Sequence, residues 1–463
     1  MQQIFAMAWL TWKAAFRFRL FLVIAGLLLL SVIGLPLLVK DDGTARGFTQ
    51  ILLTYTLGII STLLGISTLW LACGTLARDI EECQIQVVAT KPIARWQIWL
   101  GKWLGIVSLN ALLLAISGGA VYGMLQWRAD RLPLAEQKVL RNEVLVARAS
   151  VKPPDHHAEI EQQTDELLKE RLEKVPLDRD SIAQVRQQIR EQIKASKQIV
   201  PPGYSREWTL DLGMARFSLH DQPLFLRIKF NAAQKPASGT IDGFWQVGLP
   251  EGNTRPWFSG PLSLAPDSFH EFRIPPNLFD SQGKLTVSFL NVPENPTVLF
   301  PLEDGIEVLY REGGFGLNYI RGLGIILCWM ALLAALGLAA ASFLSFPVAA
   351  FFSLGLLTLV LASGTMANAV SEGTIANWNA EKGTKGWSPA DIVVIPTFKA
   401  ILRVISLAKD FSPVDSLSSG RSITWTELGL AFAQIVLLLS GGLAVFGMVV
   451  LTRRELATAQ GTQ

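Results

Sequence analysis

Residues Gly322 to Ser371 read GLGIILCWMALLAALGLAAASFLSFPVAAFFSLGLLTLVLASGTMANAVS, fifty positions without one charged side chain. An α-helix rises 1.5 Å per residue, so about 20 apolar residues cross the ~30 Å hydrocarbon core of a bilayer. Fifty is too many for one crossing and enough for two. Ser345-Phe346-Pro347 supplies the break, because proline inside a helix loses a hydrogen bond and clashes with the preceding turn. The stretch predicts two antiparallel spans joined by a tight turn.

Working outward, Leu20–Leu38, Ile51–Leu76, Ile106–Leu125 and Leu428–Leu451 are four further uncharged runs, six spans in all. The first run is too long for a signal-peptide core, and no small-residue cleavage site follows it. Half of the chain is hydrophobic and 17% is charged, with mean hydropathy +0.35. A soluble chain usually carries more charge. The apolar runs sit at the two ends and the middle is polar, so the pattern is membrane, inserted domain, membrane. The net charge of +3 excludes the strongly basic signature of a nucleic-acid partner.

The basic residues matter by position. Lys13, Arg17 and Arg19 precede the first run, Arg78, Lys91, Arg95 and Lys102 lie around the second and third, and Arg453 and Arg454 follow the last. With alternating spans these flanks share one side, which the positive-inside rule makes the cytoplasm. Both termini are then cytoplasmic, in an inner membrane, and the polar middle is extracytoplasmic (periplasmic). The organisation expected is an interfacial amphipathic helix at 1–19, spans one to three at 20–125 with a cytoplasmic loop at 77–97, an external helical segment at 126–200 and an external β-sandwich at 201–315. Spans four and five follow at 316–370, an external loop with an amphipathic helix at 371–427, span six at 428–452 and a cytoplasmic tail at 453–463.

In the helical segment Ile182, Val185, Ile189 and Ile193 form a stripe at helical spacing. After Pro201-Pro202-Gly203 the period changes to two. Leu226, Ile228 and Phe230 alternate with Arg227 and Lys229, Leu285, Val287 and Phe289 with Thr286 and Ser288, and Ile306, Val308 and Tyr310 with Glu307 and Leu309. Such short strands between turn clusters predict an antiparallel β-sandwich. Phe272-Arg273-Ile274-Pro275 followed by Leu285 to Asn291 resembles jelly-roll modules of the galactose-binding kind. That resemblance implies a ligand face on which Trp245, Trp257 and Phe258 would stack on a sugar. Aromatics on a small sandwich also serve as core.

Sites of chemistry are sparse. No G-x-x-x-x-G-K-[ST] phosphate loop occurs. The three cysteines, Cys73, Cys83 and Cys328, lie outside the polar middle and have no metal-ligand spacing. His156-His157 with Asp155 and Glu159 has metal-binding residue types, but it stands in a charged stretch that reads as solvated surface. His220-Asp221 and His270-Glu271 accompany no nucleophile elbow. The chain is expected to be no enzyme, to hold no metal and to need no cofactor of its own.

The loop between the second and third runs is richer. It reads Arg78-Asp79-Ile80-Glu81-Glu82-Cys83-Gln84, then Lys91-Pro92-Ile93-Ala94-Arg95, then Gly101-Lys102. Holding topology explains the cations but not the paired acids. At Arg78, Glu81, Pro92, Arg95, Gly101 and Lys102 the chain resembles the permease subunit of ABC-2 type exporters, departing from the family at Cys83-Gln84, where Gly-Thr is usual. The resemblance implies six spans, an amphipathic N-terminal helix and assembly as a homodimer or heterodimer. It also implies a separate ATPase subunit that binds the ATP and is contacted through Arg78, Asp79, Glu81, Glu82, Lys91, Pro92 and Arg95. The competing expectation is a membrane-anchored protein whose sandwich captures a glycan or a partner.

Overall fold

The structure, a computed structural model, describes residues 2–17, 19–38, 45–82, 93–174, 179–217, 219, 221–234, 238–248, 255–372, 375, 378–379, 384–385, 390–409 and 411–454. The chain divides into two compact units, residues 1–146 with 314–463 and residues 147–313.

The first unit is helical. Its main helices are α1 (Gln2–Arg17), α2 (Arg19–Leu38), α3 (Ala45–Glu81), α4 (Arg95–Ala129), α5 (Phe315–Ala341), α6 (Phe346–Leu361), α7 (Ser363–Glu372), α8 (Asp391–Lys409), α9 (Trp425–Ala431) and α10 (Gly441–Arg453). Among the described residues four helices are long and apolar enough to cross a membrane: Thr49–Glu81, Arg95–Ala129, Phe315–Ala341 and Trp425–Arg453. A fifth candidate is α6 with the start of α7, bent by 53° at their junction. The chain breaks where Pro347 demanded it, with Ser345 as the residue before α6 and the proline in the first turn. Proline is tolerated there because that N–H has no helical partner.

α1 is seated on α4. Met7, Thr11 and Ala15, four residues apart, are its buried face. A Cβ on Gly101 would lie 2.5 Å from Cβ of Met7 and 2.9 Å from the carbonyl oxygen of Ile4, and one on Gly105 would lie 2.8 Å from Thr11 and 2.9 Å from the Ala8 carbonyl. Further along, Trp12 Nε1 donates to Ser108 Oγ at 2.9 Å. The contacts advance together along both helices, so the two run in the same direction. Glycines four residues apart let two backbones approach this closely. A second close crossing joins α3 to α5 at Gly337, whose Cβ would meet that of Ala72 at 2.7 Å. On α8, Ile395 and Ile405 are buried and Phe398, Ile401 and Leu402 half-buried, while Lys399 and Arg403 are exposed, as are Ile392, Val393 and Val404. The helix packs on α7, with Lys409 Nζ donating to Ser363 Oγ at 3.0 Å.

The second unit is a sandwich with a helical pair. Its long strands are β1 (Val146–Val151), β2 (Ser205–Asp211), β3 (Leu224–Lys229), β4 (Ile241–Val247), β5 (Trp257–Leu264), β6 (Phe269–Ile274), β7 (Lys284–Asn291) and β8 (Ile306–Gly314), beside a small three-stranded sheet of two-residue strands. The two four-stranded sheets have the orders β1-β8-β3-β6 and β2-β7-β4-β5. First pairs with eighth, second with seventh, third with sixth and fourth with fifth, the order of one long hairpin wrapped into a jelly roll. The alternating apolar residues meet between the sheets, where Leu226, Ile228 and Val308 pack with Trp245, Val287 and Phe289.

One strand comes from outside the segment expected to form the sandwich. β1 lies N-terminal to the helices His157–Lys174 and Arg179–Ser196, so that pair is an insertion between the first two strands. The pair packs on the expected stripe, with Ile189 and Ile193 buried beside Val185 and Ile160. At its base Glu159 accepts from His156 and pairs with Lys197 at 2.6 Å; Lys197 first, and His156 second, holds that carboxyl below the ordinary carboxylate range.

Candidate functional site

The residues singled out between Arg78 and Lys102, at the end of α3 and the start of α4, converge with three other helix ends. Asp79, in the last turn of α3, accepts from Lys102 Nζ at 2.6 Å. The same ammonium reaches the Thr75 carbonyl at 2.9 Å, and Lys102 is only 4% exposed. A buried cation is tolerated when it is paired and its donors are used.

Glu81 turns to a different helix. Its carboxylate accepts the N–H of Phe346, the first residue of α6, at 2.9 Å. Helix N-termini carry unsatisfied N–H groups and partial positive charge, so an acid is favourable there. The Arg78 guanidinium lies over the Phe346 ring, 4.8 Å from its centre, and Trp70 meets that ring edge-on.

Arg95 holds the end of α10. Its Nη1 donates to the carbonyls of Leu451, Thr452 and Arg454 at 3.0, 2.8 and 2.8 Å. Arg454 in turn donates from Nη1 to Ser342, just past the end of α5, at 3.1 Å. Both cations sit at helix C-termini, where carbonyls are unsatisfied and the dipole is negative. Behind them Trp99 is fully buried against Gly447 of α10, whose Cβ would lie 2.8 Å from the indole nitrogen. The result is a node of charged side chains tying the C-terminal ends of α3, α5 and α10 to the N-terminal ends of α4 and α6.

Glu82 closes the set on the exposed end of α3, its N–H donating to the Arg78 carbonyl at 2.8 Å. Lys91 and Pro92, with the rest of the loop from Cys83, lie outside the described residues. Sequence reasoning named Arg454 as a topology marker and Lys102 as that and as part of the Gly101-Lys102 pair of the family resemblance, and missed the partners of both. The available signal for Lys102 was a cation seven positions into α4, just ahead of the uncharged run Ile106–Leu125.

The aromatic platform on the sandwich divides. Trp245 is 1% exposed, its ring 4.7 Å from Phe289 and 5.8 Å from Phe300, so it is core and cannot stack on a ligand. Trp257 packs partly against the same core. Phe258 is 62% exposed. It pairs across strands with Gln246, beside the exposed Phe244 opposite Leu290. Alternation decides this: Trp245 faces inward, so Phe244 faces out.

No protein-family model, curated protein or solved structure matches the chain.

Proposed function

We propose that this chain is the membrane-spanning permease subunit of an ATP-driven ABC-2 type exporter of the inner membrane. It works as a homodimer or heterodimer with a separate ATPase that binds the ATP. In this reading α2 and the α6–α7 pair complete six spans, both termini are cytoplasmic and the jelly roll is extracytoplasmic.

One observation carries the reading. The segment that resembles the exporter family's coupling loop is tied through Asp79, Glu81 and Arg95 to α4, α6 and α10, and Arg454 extends the tie to the end of α5. A push on the intervening residues 83–92 is therefore delivered to several spans together. A set of rigid helices whose ends share ion pairs and caps moves as bodies rather than bending separately.

Two experiments test it. An alkaline phosphatase fusion, active only outside the cytoplasm, is expected to be active at Ser238 and inactive after Gln463. The reverse pattern would overturn the orientation. The second uses Glu81→Lys, which removes the cap of α6 and places a cation at a positive helix end. Losing a cap costs about 0.5–2 kcal/mol, and the reversed charge adds about 0.3–1 kcal/mol. The variant is expected to insert but to recover less ATPase from native membranes, while Glu81→Gln, which keeps an acceptor, is expected to recover more. A Glu81→Lys protein that retains the ATPase and exports at the wild-type rate would remove the coupling role.

The exposed Phe258 and Phe244 favour a second reading, in which the jelly roll binds a glycan and the spans serve as anchor. Copurification of an ATPase separates the two.

A further inference from the structure

The helix from Trp425 to Arg453 is not α-helical throughout. Phe432–Ser440 is wound with i→i+5 hydrogen bonds, a π-helix of nine residues between α9 and α10. π geometry is rare and mostly confined to a single turn, where it inserts one residue more than an α-turn holds, often at functional positions.

The side chain of Ser440 follows the same register. Its hydroxyl donates to the carbonyl of Ile435, five residues back, at 2.9 Å. In the α-helices of this unit the hydroxyls of Thr56, Thr68, Ser342 and Thr452 reach back four, to Leu52, Leu64, Leu338 and Met448. Directly after Ser440 come Gly441 and Gly442. A Cβ on Gly442 would meet nothing within 4 Å, and one on Gly441 only the Val436 carbonyl at 3.9 Å. These glycines are not seats for a neighbouring helix.

Both ends of the span are held. At the start, Thr424 caps Glu427, and Arg321 lies over the Trp425 ring and donates to the Ile423 carbonyl. At the finish, Arg95 takes three carbonyls and Gly447 is pressed against Trp99. Between these holds, Phe432 and Val436 form one wall of an apolar groove of about 480 Å³, with Cys328 and Leu327 of α5 and Trp103 of α4 opposite.

We propose that Phe432–Ser440 is a register switch in this span, held in its π state by the Ser440 hydroxyl. Converting one π turn to α passes one residue along the helix, a rotation of about 100° and a shift of about 1.5 Å. With α10 held at its C-terminus, the rotation falls on the residues before the converted turn, so Trp425 leaves its place under Arg321 as Phe432 and Val436 turn out of the groove. The switch does not depend on the exporter reading and is tested without an ATPase.

The test uses the full chain in native membranes with Cys73→Ala and Cys83→Ala, leaving Cys328 as the only native thiol. Single cysteines are placed at Phe432, Ala433, Val436 and Leu437, and each is oxidised with copper-phenanthroline. Val436→Cys and Phe432→Cys are expected to cross-link to Cys328, and Ala433→Cys and Leu437→Cys are not. Adding Ser440→Ala is expected to lower the first two yields several-fold and raise a neighbouring one, and Ser440→Thr, which keeps the hydroxyl, to restore the first pattern. Absence of the Val436 cross-link in the protein with Ser440 intact would overturn the register. A pattern unchanged by Ser440→Ala would overturn the switch.

Discussion

Glu307→Ala is expected to strip hydrogen-exchange protection from β8 and β3 of the full-length protein by about two to three and a half decades. Glu307 is 1% exposed, on the face of its sheet opposite the sandwich core. In register it stands beside Arg227, which stands beside Glu271. Ser150 donates to Glu307 at 2.7 Å, Arg227 lies 3.4 Å away, and Arg148 reaches Glu271 at 2.6 Å. Removing one member of a buried ion network costs about 3–5 kcal/mol, because the remaining charges stay desolvated. Each 1.4 kcal/mol is about tenfold in an opening equilibrium. The comparison is Glu170→Ala, which breaks a solvated pair with Lys174 at 2.6 Å and is expected to leave protection unchanged. Equal effects from the two substitutions would show that the sheet-face network contributes no more than a surface pair.

The second large effect is expected at the seat of α1. Gly105→Leu places a side chain where Cβ alone would already lie 2.9 Å from a backbone carbonyl of α1. Backbone cannot step aside as a side-chain tip can, so α1 must leave. Overpacking costs about 1–3 kcal/mol at sites that can partly relax, and this one has little room to do so. The measurement is thiol labelling at Met7→Cys, a position buried in the seated helix. Labelling is expected to be slow with Gly105 intact and to rise about tenfold to a hundredfold with Gly105→Leu, following the same free-energy conversion. Gly119→Leu and Gly123→Leu are the controls, since a Cβ at either meets open space. If they accelerate labelling as much as Gly105→Leu, the close packing is not what holds α1.

Much of the architecture was legible because its signal is local. Long uncharged runs report spanning helices whatever their neighbours are, since burying an unpaired charge in hydrocarbon is costly. Pro347 placed the break after α5, and period-2 alternation marked β3, β7 and β8. β1 was missed because Arg148 and Ser150 look like surface residues until their partners on β6 and β8 are in place. Trp245 and Phe258 could not be told apart by type, because alternation along β4 turns Trp245 inward while Phe258 stands on β5 beyond a register shift in its pairing with β4.

At the candidate site the division is the same. The order of residues alone sets which positions carry charge near the ends of the apolar runs, and that acids are interleaved with the cations. It also determined that Gly101 and Gly105 stand four apart. The folded packing adds that Glu81 caps α6, that Arg95 closes α10 more than 350 positions away, and that Lys102 is buried against Asp79. It alone seated α1 on the two glycines and wound Phe432–Ser440 as a π-helix. The reason is physical. A helix end advertises its unsatisfied N–H or carbonyl groups to any charge that arrives, and which charge arrives depends on how distant helices cross.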